Sequence, residues 1–303
     1  MRDVCFTVAA DEAGQRLDKL VIRHIGGLGR RRASELFASG RVEVNGARAV
    51  KGTLSQVGDS VEVKLEDACP VPAEADADLS VRLENEAFVV VSKPAGQATA
   101  PLRGESGTLA SALLGHYPEM AFVGYSPREP GLLHRLDTGT SGLLVAARTG
   151  RAFESLRRAL TQGAMEKRYF AIVSRVDLPD RGVISTFVGP DPRKGRKVIV
   201  YEKDPPPGAR VQESRYRVVR CSERRALLEL RVSRAYRHQI RAHLAHLGAP
   251  IVGDALYGSR DLEALPGRHA LHACHIAWAG DDTLPAFEAF EDLPQDLLRL
   301  LDD

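Results

Sequence analysis

The sequence predicts an α+β protein of 303 residues in two units. Three observations carry this reading. Strand-like and helix-like segments follow one another in irregular order, not in strict alternation. An acidic stretch at residues 66–78, rich in Pro and Ala and without apolar periodicity, separates a small N-terminal unit from a larger one. The length agrees, because single cores stop growing near ~250–300 residues. The expected boundaries are 1–67 for the small unit, 68–78 for a linker and 79–303 for the large unit.

In the small unit, Leu17, Leu20, Val21, His24 and Ile25 fall on one helical face, and Gly26, Gly27 and Gly29 end that helix. A second helix places Ala33, Leu36 and Phe37 on its apolar side and stops at Gly40. Val42 and Val44 alternate into Asn45-Gly46, a strong hairpin turn signal. A later turn and strand run from Val57 through Val61 and Val63. Two short helices followed by a small sheet, with Arg30, Arg31 and Arg32 where the second helix starts, make a compact basic surface. Backbone amides at that helix start would also face a nearby phosphate.

The large unit reads as strands at residues 87–92, 143–146 and 167–173, with helices at 150–161 and 238–247. In the last strand Lys167, Tyr169, Ala171 and Val173 should share one face. No internal repeat is evident.

The composition, 44% hydrophobic and 27% charged, is that of a globular protein and excludes a disordered chain. No apolar run approaches the ~18 residues that cross a bilayer. The first residues resemble neither a signal nor a transit peptide. The four cysteines are far apart and form no Cys-x-x-Cys pair, which suits reduced thiols in a cytoplasmic protein. The net charge of +2 hides its distribution: residues 281–303 carry eight acids and one base, so the remainder stands at +9. Basic residues gather at 30–32 with Arg41, Arg48 and Lys51, at 193–197, and at Arg231, Arg234, Arg237 and Arg241. Any one block could be a solvated face; several together make a polyanion partner plausible.

Chemistry concentrates in three segments. In His134-Arg135-Leu136-Asp137-Thr138-Gly139-Thr140-Ser141-Gly142, Asp137 lies in a loop between apolar elements, where a carboxylate can be presented from a rigid base. Composition alone favours a plainer reading, a turn in which Asp137 caps a backbone amide. In Arg237-His238-Gln239-Ile240-Arg241-Ala242-His243, the two arginines are one helical turn apart and could serve a buried carboxylate or phosphates. In Lys167-Arg168-Tyr169, the aromatic ring is a core residue or a stacking surface for a nucleobase. A serine-hydrolase elbow, a Walker loop and a dinucleotide fingerprint are all absent. The spacing of His238, His243 and His246 is not that of His-Glu-x-x-His. His269, His272, Cys274 and His275 fit a strand, so no metal is expected.

Two resemblances follow from these residues. Arg16-Leu17-Asp18-Lys19-Leu20, residues 29–33 and Ser39-Gly40-Arg41-Val42-Glu43-Val44-Asn45-Gly46 resemble the small RNA-binding domain first known from a small-subunit ribosomal protein. This chain has Leu28-Gly29-Arg30 where Leu-Ser-Arg is common. The 134–142 segment resembles the signature of the RluA-type pseudouridine synthases. Lys167-x-Tyr169, His238-Gln239-Ile240-Arg241-x-His243-Leu244 and Gly253-Asp254-x-Leu256-Tyr257-Gly258 follow in the same order, and Lys93-Pro94-Ala95-Gly96 and Leu271-His272-Ala273 also fit. The resemblance spans about residues 79–280.

It implies a mixed, mainly antiparallel sheet catalytic domain with flanking helices, behind a small helix-helix-sheet RNA-binding domain. It implies a cofactor-free isomerase acting on uridine in structured RNA, with large-subunit ribosomal RNA favoured and transfer RNA an alternative. A monomer with no membrane partner is expected. The essential carboxylate would be Asp137, with Arg241 as its ion-pair partner and Tyr169 packed on the target base. Lys167 and His134 would support the site. Arg135 would enter the RNA stack when the base flips out, a step needed because the glycosidic bond of a stacked base is poorly accessible. Arg30, Arg31, Arg32, Arg41 and Arg237 would bind RNA. Where the family often reads Gly-Arg-Thr-His, this chain has Ala235-Tyr236-Arg237-His238, which leaves open which arginine meets phosphate. Two other classes compete. A non-catalytic RNA-binding or assembly factor would not need Asp137, Tyr169 and Arg241 intact, and a glycoside hydrolase would need a second carboxylate in a comparable motif.

Overall fold

The structure, a computed structural model, describes residues 2–25, 28, 30–65, 71–102, 105–126, 128–174, 177–193, 195 and 197–302; of residues 2, 3 and 30–32 it describes the backbone alone. The small unit runs β1 (Arg2–Thr7), α1 (Leu17–Ile25), α2 (Arg30–Ala38), β2 (Val42–Val44), β3 (Ala47–Arg48) and β4 (Ser60–Leu65). Its four strands form an antiparallel sheet in the order β1-β4-β2-β3. Leu17, Leu20 and Val21 of α1 pack with Ala33, Leu36 and Phe37 of α2 over Val42, Val61 and Val63. These are the helical faces expected from the sequence. The sheet, however, does not simply follow the helices. β1 precedes them and pairs with the last strand, Val4 opposite Val63. Its alternation is only Val4 and Phe6, too short to signal a strand whose partner lies far along the chain. His24 stacks on Phe6 with ring centroids 3.9 Å apart, and its Nε2 lies 2.8 Å from Glu12 Oε1.

The stretch expected as a linker is only partly one. Residues 66–70 lie outside the described residues, but residues 71–78 are held against the large unit. Val71 is buried in its core. Glu74 N donates to Ser111 O, the Glu74 carboxylate accepts from Gly107 N, and the His116 ring is hydrogen-bonded to Ala77 O. A side chain at Gly115 would run into the Glu74 backbone. Acidic, Pro- and Ala-rich composition signals low helix and strand propensity, which does not preclude docking in an extended form.

The large unit continues with β5 (Ser80–Glu84), β6 (Phe88–Lys93), α3 (Leu109–His116), β7 (Ser141–Ala147), α4 (Gly150–Gln162), β8 (Glu166–Ser174), β9 (Arg181–Pro190), β10 (Val198–Tyr201), β11 (Arg210–Cys221), β12 (Arg225–Arg231), α5 (Gln239–His246), β13 (Leu271–Trp278), β14 (Phe287–Phe290) and α6 (Gln295–Leu298). Ten strands form one sheet, β10-β9-β11-β12-β8-β13-β7-β6-β5, with β14 added on β13. Among the described residues, only the β7–β13 pairing is parallel; the rest are antiparallel. The mixed, mainly antiparallel α+β expectation matches this sheet.

β6 and β7 are apolar runs buried on both faces, inside the β5 edge of the sheet. α4 starts at the Thr149 cap and ends at Gly163 in the left-handed region. It packs Ala152, Phe153, Leu156 and Ala159 on one side of the sheet, with Trp278 and Phe287. The opposite side holds the larger core, which includes Tyr169, Leu228, Leu244 and Leu271. As expected, Lys167, Tyr169, Ala171 and Val173 all point to that buried side. The acidic C-terminal segment is not a free tail. Leu297, Leu300 and Leu301 join the core, Glu288 pairs with His275, and Asp296 pairs with Arg268. Among the described residues no helix is long and apolar enough to cross a membrane.

Candidate active site

A broad open cleft lies over the larger core, lined by residues 96–100, 102 and 105–108, the loop from His134 to Thr140, Tyr169, the start of α5, the Gly253–Leu256 turn and Arg268. Asp137 stands in its second wall. Its loop is rigid because neighbouring segments hold the backbone. Thr99 Oγ1 donates to Leu136 O at 2.7 Å and accepts from Leu136 N at 3.2 Å. Gly96 N donates to Thr138 O at 2.8 Å. Lys93 is fully buried, and its Nζ donates to Pro94 O (2.7 Å), Gln97 O (2.8 Å) and Thr138 O (3.4 Å). Burial pushes the Lys93 ammonium down to about 7; Arg268 adds to this, and Asp137 acts against it. Thr140 Oγ1 and His269 Nε2 are 2.8 Å apart. The loop then enters β7 at Gly142, where φ is 109° and a Cβ would meet the Ala273 carbonyl across the parallel β13 pairing.

The backbone does turn here, with Thr140 N donating to Asp137 O at 2.9 Å. The Asp137 carboxylate, however, does not cap that turn. Its Oδ2 accepts from Arg241 Nη1 at 2.6 Å. Arg241 Nε and Nη2 grip both oxygens of Asp254 at 2.7 and 2.9 Å. Asp254 is 1% exposed and also accepts from Tyr257 N. A guanidinium offers donors in a fixed fork, so Asp254 fixes the plane in which the remaining nitrogen reaches Asp137. Burial works against the Arg241 charge, yet Asp254 and Asp137 overcome it and raise its pKa.

Tyr169 is 6% exposed and lines the cleft. Burial, with the Asp137 charge adding, pushes its phenol well above the usual range, so it stays protonated. Lys167, two residues earlier on the same strand face, is buried, and desolvation brings its ammonium down to about 8. Burial, then the nearby Lys167 charge, pushes His134 down to about 3, and its Nε2 is buried without a hydrogen-bond partner among the described residues.

Several arginine expectations resolve differently. Arg237 and Arg241 do not share a helical face. α5 begins at Gln239, with His238 in a left-handed cap conformation, so Arg237 lies in the preceding loop and is exposed while Arg241 turns inward. The sequence spacing of four implies one face only if both residues are helical. Arg237 Nη1 donates to Gly195 O at 3.5 Å. Arg135 projects from the Asp137 loop with its side chain 63% exposed, 3.2 Å from Glu129. Arg41 is half-buried in the small unit. The side chains of Arg30, Arg31 and Arg32, and residues 194 and 196, lie outside the described part.

Asp254 and His238 escaped the sequence reading as site residues. Asp254 looked like a structural turn, which it also is; only its Gly253-Asp254 motif hinted at more. His238 stood out only as the first residue of its family motif and as a metal candidate set aside, whereas its Nε2 lies 3.6 Å from Asp137 Oδ1. Lys93 was visible only as a motif residue. Among the described residues no group of His, Cys, Asp or Glu side chains is arranged to hold a metal ion.

The family model for RNA pseudouridylate synthases matches residues 87–246, which contain Asp137, Tyr169 and Arg241. An RNA pseudouridine synthase of Chloroflexus aurantiacus is 34% identical across 98% of this chain and 93% of its own. The ribosomal large subunit pseudouridine synthase D of Pseudomonas aeruginosa is 31% identical across 95% of this chain and 91% of its own. Human RNA pseudouridylate synthase domain containing 1 shares the fold at a TM-score of 0.58 and 23% identity, covering 76% of this chain and 96% of that one. With the aspartate-bearing signature, its loop and its sheet all matched, this chain belongs to the RluA-type RNA pseudouridine synthases and is an isomerase of that family.

Proposed function

We propose that the protein isomerises specific uridines in structured ribosomal RNA of the large subunit, with Asp137 as the catalytic carboxylate. One observation carries the assignment. Asp137 presents one oxygen to Arg241, itself locked by the buried Asp254, and leaves the other facing an open cleft beside Tyr169. The reaction breaks the N1–C1′ bond and forms a C5–C1′ bond. The C5 proton leaves and N1 gains one, so no redox change and no net loss of atoms occurs. Positive charge on the sugar, or a nucleophile at C1′, is what a fixed carboxylate can serve. Tyr169 packs on the uracil and keeps its proton. Arg135, exposed beside the loop, fills the space that the flipped base leaves in the RNA stack. Lys167 and His134 support the wall behind Tyr169. The relatives named as large-subunit ribosomal enzymes support the choice of RNA.

Residues 1–67 serve as the RNA-binding domain, with Arg30, Arg31, Arg32 and Arg41 on its RNA face and Arg237 at the cleft rim. Residues 68–78 connect it to a catalytic domain of residues 79–303, and the protein works as a cytoplasmic monomer. The test is pseudouridine mapping by carbodiimide on total RNA with and without the gene. The expected result is loss of one or more sites in large-subunit RNA, restored by the wild type and not by Asp137→Asn. The same variant retains RNA binding. Sites that persist without the gene, or full restoration by Asp137→Asn, overturn the reading.

A further inference from the structure

His238 precedes α5 with φ 54° and ψ 15°, a left-handed conformation that a β-carbon disfavours. Such backbone is retained where the surroundings over-determine it, often at a working site. Its ring is held at one end, by Tyr257. The Tyr257 hydroxyl lies 3.1 Å from His238 Nδ1, 3.2 Å from Val198 N and 3.0 Å from Val198 O. A phenol has one proton to donate and two positions to accept. Val198 N can only donate and Val198 O can only accept. Asp191 N bonds Lys197 O, so the next pair, Val198 opposite Pro190, is a non-hydrogen-bonded one, and Val198 turns its N–H and C=O away from β9 toward Tyr257. The phenolic proton therefore goes to Val198 O, and His238 Nδ1 must carry the hydrogen that fills the remaining lone pair.

Nε2 is then bare in the neutral ring, and it lies 3.6 Å from Asp137 Oδ1, the oxygen that Arg241 does not hold. Two acceptors face each other, and only an added proton turns that contact into a bond. The charges around the ring come from several elements: Asp137 on the catalytic loop, Arg241 on α5, Arg237 before it, and Asp254 on the following turn, with Lys197 over the Tyr257 ring. Burial, with the two arginines adding, outweighs the carboxylates and keeps the imidazole below its ordinary range, so it is neutral at pH 7.

We propose that His238 is a proton-operated positioning residue for Asp137: neutral, it leaves Oδ1 open to the ribose; protonated, its Nε2–H closes on Oδ1 and withdraws the carboxylate. This rests on Asp137 being the catalytic group. The experiment follows tritium release from unmodified large-subunit ribosomal RNA transcripts labelled at uracil C5, from about pH 5 to 8. One required deprotonation lowers the rate about tenfold per pH unit below it. Wild type should show that acid limb. His238→Gln, whose amide does not titrate, should hold a level rate at least about one pH unit further down. An identical acid limb in both overturns the proposal.

Failure of the wild type to release tritium at any pH counts against the reading of Asp137 and its substrate, and a second measurement then decides on His238. Nitrogen-15 spectra of the histidine-labelled full chain, assigned by difference with His238→Gln, should show the Nδ1–H tautomer at neutral pH. Asp137→Asn should move its protonation to lower pH. An Nε2–H tautomer, or no response to Asp137→Asn, overturns the proposal.

Discussion

Asp254 is the more deeply buried of the two carboxylates that Arg241 binds, and it takes two nitrogens of the guanidinium while Asp137 takes one. Removing it leaves Arg241 free to pivot toward Asp137. Misplacement of a reacting group by 1 Å costs about a hundredfold. Asp254→Asn is therefore expected to lower kcat by about that factor with RNA affinity unchanged, read from single-turnover rates and filter binding. Asp254→Ala leaves a buried cation half-paired and should cost about 3–5 kcal/mol in urea unfolding. Two other buried side chains weaken the fold in acid, in addition to His134. Burial pushes His243 and His269 each down to about 4, and both are neutral, hydrogen-bonded to Ser214 and Thr140 respectively. In the unfolded chain they protonate near the ordinary imidazole value. The unfolded state thus binds more protons between that value and 4, and stability falls as pH falls through this window. The loss between pH 7 and 5 should be about 3–4 kcal/mol for the pair. Urea midpoints that do not move between these two values would refute it.

At the scale of elements, the Asp137 loop is held by segments far away in sequence. Lys93 at the end of β6 and Thr99 beyond it clamp the backbone on either side of Asp137. The loop then passes into β7 through Gly142, against β13. A second close approach ties residues 71–78 to α3. Gly115→Ala would push the Glu74 backbone away. It should make this segment sensitive to limited proteolysis and lower stability by about 1–3 kcal/mol, as overpacking does. Unchanged cleavage kinetics would show that the docking of residues 71–78 does not depend on that contact. Helices whose apolar spacing was plain in the sequence, α1, α2 and α4, formed where expected, because a local periodicity of apolar residues needs only one surface to bury against.

For the molecule as a whole, charge is sorted. Among the described C-terminal acids, Glu288 pairs with His275 and Asp296 reaches Arg268, which lines the cleft, so this segment extends to the cleft rim. If residues 30–32 bind phosphate, their triple replacement by alanine should weaken RNA binding uniformly. It should also reduce the salt slope by up to about 2–3, since each phosphate contact contributes about 0.7–0.9. Neutralising Glu288 and Asp292 should leave that slope unchanged. Equal effects from both changes would contradict the sorting. The sequence alone determined the fold class, helices α1, α2, α4 and α5, strands β2, β4, β6, β7, β8 and β13, the aspartate-bearing loop and, through ordered motifs, the family, but it missed α3 and the run of strands from β9 to β12. The features it determined are local: periodicity, turn residues and short spacings. It did not determine β1, whose partner is the last strand of its sheet, nor the docking of residues 71–78. It mistook Arg237 for a helical neighbour of Arg241, since the helix start depends on the left-handed His238. The family resemblance already paired Asp137 with Arg241; tertiary structure alone brought Asp254 and His238 to that pair, because their contacts cross from one wall of the cleft to the other, and no local pattern records which buried charges will meet.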